Sequence, residues 1–131
     1  HGVTDVVIFE GINDIGTTKA SSSMAKQLIE AYKSMIEKCR KAHLRIWLAT
    51  ITPMKGSAYY SVQHEMCRRI VNEWIRTQHE ADGYLDFDKL LRDPAEELAL
   101  RPQWRLKDNL HPNAEGYKEM GRYAADFFMK Q

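Results

Sequence analysis

Cysteine and net charge are both scarce in this chain, and each shortage removes a class of protein. Only two cysteines, Cys39 and Cys67, stand among 131 residues, and their spacing fits no metal motif. Neither a disulfide framework nor a cysteine-built zinc site therefore organises the fold. Both fall in helical patterns, where a free buried thiol behaves as a small hydrophobe. Nineteen basic residues against 18 acidic ones leave a formal charge of +1. That balance gives no electrostatic pull toward nucleic acid or an anionic membrane. No apolar run approaches the roughly 20 residues of a membrane span. Repeats, low-complexity tracts and linkers are absent as well, which fits one domain over residues 1–131. The chain has enough residues to bury a working core. The sequence leaves the compartment open.

Two kinds of catalytic signature are also missing. None of the six serines (Ser21, Ser22, Ser23, Ser34, Ser57 and Ser61) lies in a Gly-x-Ser-x-Gly elbow. Ser57 follows the second strand in Lys55-Gly56-Ser57 and reads first as a polar loop residue. His64-Glu65 has no second histidine four residues on, so the zinc-protease pattern fails. No metal and no cofactor are implied. His43 sits at a helix end, where it suits the dipole.

What is present alternates between two periodicities. Asp5 to Phe9 is a short β-branched run bounded by turn residues, which predicts a buried parallel strand. Residues 11–23 read as a loop, with Ser22 or Ser23 as the N-cap of the next helix. Met24, Leu28, Ala31, Tyr32, Met35, Ile36 and Cys39 then recur at helical spacing. Leu44 to Ile51 is a second strand, stopped at Pro53. A second helix over about 62–78 carries Val62, Met66, Ile70, Val71, Trp74 and Ile75 on one predicted inward face. Tyr84 to Phe87 is a third strand, and 88–106 reads as irregular around Pro94 and Pro102. A last helix starts near Asn113, with Tyr117, Met120, Tyr123, Ala124 and Phe127 inward. Strand then helix, three times over, implies an α/β fold with a parallel sheet between two helical layers.

In such sheets, sites form beyond the C-terminal ends of the strands. Asn13, Thr52 and the stretch Asp108-Asn109-Leu110-His111-Pro112 all fall on that edge. Pro112 restricts His111 to extended backbone angles. Asp108, three residues earlier, can accept from its Nδ1–H, which leaves Nε2 as a base. Asn13 reads as a turn former or, functionally, as a side-chain donor to a developing oxyanion. Gly11 keeps the backbone clear of a Cβ as the chain leaves the strand. Asp14 is expected to turn away from an oxyanion and to bond loop amides. Tyr59, Tyr60 and Trp104 lie in loops as candidate cleft residues.

Gly11-x-Asn13-Asp14 after a buried strand, together with Asp108-x-x-His111-Pro112 before the last helix, resembles the SGNH (GDSL-type) esterases. The resemblance implies a flavodoxin-like α/β/α fold and ester hydrolysis through an acyl-enzyme, on acetylated sugars, lipids or other acyl esters. It implies that Asn13 donates to the oxyanion and that Asp108 and His111 complete a triad. The family's Gly-Asp-Ser nucleophile block and its second oxyanion block have no counterpart here. The expectation is therefore the C-terminal portion of such an esterase, its last three strands and their helices, inactive alone. Strand 6–9 would then have an open edge for the missing segment or a second copy of the chain. Acetylated carbohydrate is the favoured substrate class, from the loop aromatics and the lack of a long apolar flap.

Two rivals follow from the same residues. Gly11-x-Asn13-x-x-Gly16 is one residue from a dinucleotide fingerprint. Asn13 nevertheless fills the space where backbone must approach a pyrophosphate, and no acidic residue ends the next strand. A non-catalytic binding module derived from an esterase is the second rival. It predicts Asp108 and His111 out of hydrogen-bond reach.

Overall fold

The middle strand shows how the layers arise. In the computed structural model, which describes residues 2–19 and 23–131, β2 (Arg45–Ala49) lies between β1 (Asp5–Ile8) and β3 (Gly83–Leu85), parallel to both. Successive side chains of a strand point to opposite faces. Ile46 and Leu48 enter one apolar cluster, with Tyr32 and Ile36 of α2 (Met24–Lys41) and Val71 and Ile75 of α3 (Val62–Thr77). Trp47 and Ala49 enter a second cluster with Leu91 of α4 (Phe87–Leu91) and Met120 of α5 (Ala114–Met129). The result is the three-layer α/β architecture expected from the order of elements. No helix among the described residues is long and apolar enough to cross a membrane. Both cysteines are free, and burial pushes the Cys67 thiol up.

Helix ends follow local chemistry. Ser23 stands at the N-cap position of α2 with helical backbone angles and no side-chain cap bond, whereas Ser22 lies outside the described residues. The same helix ends in a Schellman arrangement. His43, at φ 57°, donates its N–H to Arg40 at 3.0 Å, and Leu44 donates to Cys39 at 2.9 Å.

Three segments differ from the sequence reading, each for a tertiary reason. The loop expected after β1 contains α1 (Ile12–Thr17), whose Ile15 is fully buried. Thr17 and Thr18, which read as loop residues, bond back to the carbonyls of Asn13 and Asp14. The third strand stops before Phe87, because Asp86 caps α4 by accepting from Lys89 N–H. Residues 92–100, expected to be irregular, form an antiparallel hairpin of β4 (Arg92–Asp93) and β5 (Glu96–Leu100). Its Glu-rich sequence has little strand propensity, but Lys55 N–H bonds Leu98 and Lys55 Nζ reaches Glu96 at 2.7 Å.

The fourth difference is the roll of α3. Val62, Met66 and Ile70, expected inward, are 63, 57 and 53 % exposed. Glu65, Arg68 and Asn72 are buried instead. Asn72 accepts from Ile51 N–H at 2.7 Å and returns a bond to Ile51 O at 2.9 Å. Arg68 also donates to Ile51 O, at 2.9 Å, and pairs with Glu65 and Asp88 at 2.9 and 2.8 Å. Buried polar groups need partners, and this roll supplies them while pinning the chain just beyond β2. Tyr117 of α5, also expected inward, is exposed because the helix buries Gly116 and Met120.

Candidate active site

The Asp108–His111 loop is closed at its base by backbone. Arg105 bridges Pro112 antiparallel, Leu106 N–H donates to His111 O at 2.9 Å, and Asn109 N–H donates to Leu106 O at 3.1 Å. Asn109 sits in the left-handed region at φ 58°, which asparagine tolerates. Inside this loop one oxygen of Asp108 accepts from Leu110 N–H at 2.9 Å and His111 N–H at 3.0 Å. Its other oxygen lies 2.5 Å from His111 Nδ1. The His111 ring bond, then the two backbone bonds, hold the Asp108 carboxyl down at about 2 from its ordinary 3.8. With Nδ1 committed to the carboxylate, Nε2 is the basic nitrogen of the neutral ring. Both side chains stay open to solvent, His111 at 58 % and Asp108 at 46 % exposure.

Asn13 stands in the first turn of α1, exposed, after a sharp exit from β1. Gly11 makes that exit at φ 119°, and a Cβ there would lie 2.8 Å from Ile51 Cδ1 and 2.9 Å from the Tyr32 hydroxyl. Tyr32 donates to Glu10 O at 2.6 Å, which fixes the carbonyl before the turn. The Asn13 side-chain oxygen accepts from the Tyr59 hydroxyl at 3.0 Å. Asp14 is exposed in the same turn, and among the described residues no amide donates to its carboxylate. The expected loop amides are instead part of a helix.

One loop, residues 50–61, links these pieces. Tyr59 reaches Asn13 from it, and Asn109 Nδ2 donates to its Gly56 carbonyl at 3.1 Å. Gly56, at φ 93°, brings the loop close enough that a Cβ would meet Asn109 at 3.3 Å. Ser57 Oγ accepts from Tyr59 N–H at 3.2 Å, so it serves the turn. Thr52, a candidate for the cleft, is buried and lines no open surface. Tyr60 is half-buried and packs against the first apolar cluster. Trp104 packs against the second cluster under the Arg101 guanidinium, 4.9 Å from its ring centre. Sequence reasoning missed the partners: Tyr59 on Asn13, Asn109 on Gly56 and Tyr32 on Glu10. Only Asn109, inside the motif and tolerant of left-handed angles, carried a usable signal.

A cavity of about 710 Å³ opens beside β3 and Tyr123, but none of Asn13, Asp108 or His111 lines it. Its Asp86 is already bonded to Arg76 at 2.8 Å. Among the described residues no group of three or more His, Cys, Asp or Glu side chains is placed to hold a metal ion.

Solved structures place this geometry among known folds. A protein described as a candidate acylhydrolase from Bacteroides fragilis superposes with a TM-score of 0.76 at 22 % identity, over 97 % of this chain and 62 % of its own. A GDSL-like lipase from Bacteroides thetaiotaomicron gives 0.72 at 21 %, over 95 % and 61 %. A candidate lipolytic protein of the G-D-S-L family from Desulfitobacterium hafniense gives 0.70 at 25 %, over 93 % and 63 %. The chain thus spans less than two thirds of each of these proteins. No curated protein sequence matches it. Residues 3–119 match the model of the GDSL-like lipase/acylhydrolase family, to which this chain belongs.

Proposed function

We propose that this chain supplies the base, its orienting carboxylate and one oxyanion donor of a serine esterase whose nucleophile lies outside these 131 residues. The observation that carries the reading is the 2.5 Å contact between Asp108 and His111 Nδ1, with the other carboxylate oxygen held by two backbone amides. His111 Nε2 takes the proton from the serine hydroxyl as that oxygen attacks the ester carbonyl. It returns the proton to the leaving alcohol, then activates water against the acyl-enzyme. Asp108 fixes the tautomer and stabilises the imidazolium. The Asn13 amide donates to the oxyanion, a role worth roughly 3–4 kcal/mol where measured.

The serine-bearing segment would lie along β1. That strand pairs only with β2 among the described residues, and Val7 within it and Phe9 just after it are exposed. A second copy of this chain is the other candidate for that edge. The substrate class is a small acyl ester, with acetylated carbohydrate favoured. The non-catalytic reading expects Asp108 and His111 apart, which the 2.5 Å contact disfavours.

Hydrolysis of a small activated ester tests the proposal. The chain alone should show no turnover, and a Gly-Asp-Ser-bearing segment added to it should restore turnover that His111→Ala removes. Robust turnover by the chain alone would mean that an internal serine serves instead.

A further inference from the structure

We infer that Tyr59 is the positioning residue of the Asn13 amide, a role that rests on the proposal that Asn13 donates to the oxyanion. A side-chain amide has two faces, an acceptor and a donor, and a freely rotating Asn13 would present either. The Tyr59 hydroxyl, 3.0 Å from Oδ1, occupies the acceptor branch. The planar amide then carries Nδ2 on the opposite branch, left for a developing negative charge. A donor fixed before the reaction needs no reorganisation when the charge appears.

Two further contacts hold the tyrosine in place. Its ring lies directly across α1 at Gly16, where a Cβ would fall 2.1 Å from Tyr59 Cγ and 2.2 Å from Cδ2. Gly16 is an interior position of a short helix at which alanine is the better helix former, so its service here is to admit the ring. The His64 ring of α3 lies between the carbonyls on both sides of the contact, Nδ1 2.7 Å from Tyr59 O and Nε2 3.0 Å from Thr18 O, and an imidazole with one N–H donates to one of them at a time. Tyr59, α1 and α3 are thereby tied together around one amide.

The test has a binding-independent arm and a catalytic arm. In the ¹⁵N-labelled chain, the Asn13 side-chain NH₂ pair, assigned by its loss in Asn13→Asp, is expected to be rigid, and Tyr59→Phe and Gly16→Ala should each make it mobile. An amide equally rigid in both variants overturns the inference, whatever the activity. In the serine-supplemented enzyme, Tyr59→Phe and Gly16→Ala should each lower kcat about tenfold with KM unchanged, the scale of one hydrogen bond. Asn13→Ala should lower kcat about 10²–10³-fold, and adding Tyr59→Phe to it should change nothing more. Independent, multiplying effects of the two substitutions would overturn the positioning role. An Asn13→Ala enzyme with undiminished kcat would instead sink the oxyanion role, leaving the amide's rigidity as a structural fact.

Discussion

The Asp108–His111 pair and the Glu65–Arg68–Asp88 cluster both hold carboxylates on a side-chain nitrogen, yet they sit in opposite settings. The first is open to solvent and wired within four residues of one loop. The second is buried and draws together α3, α4 and the chain beyond β2. A buried charge that loses its partner leaves the other one stranded in low dielectric, whereas an exposed pair is rehydrated by water. The buried cluster should therefore govern stability and the exposed pair should not, although the exposed one carries the proposed chemistry.

The largest effect that bears on this contrast is Arg68→Ala. It leaves Glu65 with the exposed Arg69 and Asp88 with Arg76, leaves Ile51 O to Asn72 alone, and should cost about 3 kcal/mol in urea unfolding, the low end for breaking a buried ion pair. A cost near zero would mean that the cluster is solvated and the contrast false. Asn72→Ala, which leaves Ile51 N–H and C=O without the Asn72 amide, should cost about 2–3 kcal/mol. His111→Ala should shift unfolding by less than about 0.5 kcal/mol while removing turnover in the assembled esterase. Parity between these variants would erase the distinction.

Acid titration sharpens the comparison further. The folded value of Asp108, about 2, lies below its ordinary 3.8. Its small stabilising contribution is therefore present above about pH 4 and is lost as pH falls through 2. The ¹³C titration of its carboxyl should have its midpoint at about 2. In His111→Ala the midpoint should rise only part of the way to 3.8, because two backbone amides still donate. An ordinary midpoint in the unmodified chain would show that the pair does not form in solution.

The same contrast explains what was legible in the sequence. Val6 to Ile8 and Ile46 to Leu48 are short apolar runs whose strand character needs no partner to be recognised. Asp108-x-x-His111-Pro112 is equally local, and its geometry closes inside one loop. The roll of α3 was hidden because the apolar stripe Val62–Met66–Ile70 obeys helical spacing perfectly well. What turned it outward was the need of Arg68 and Asn72 for Ile51, a residue 17 and 21 positions away. The β4–β5 hairpin was hidden likewise, since Lys55 is held by Leu98 and Glu96 across the fold. Tyr59 stands in a loop as a candidate cleft aromatic, and nothing local to it announces that its hydroxyl meets Asn13 46 positions back.

The measurement that bears most directly on the central claim is labelling with a fluorophosphonate, which traps a serine activated by a histidine, read by intact mass. No adduct should form on this chain by itself. With a Gly-Asp-Ser-bearing segment present, the adduct should appear on that segment and vanish in His111→Ala. An adduct on Ser57, or on any other serine of these 131 residues, would contradict that claim.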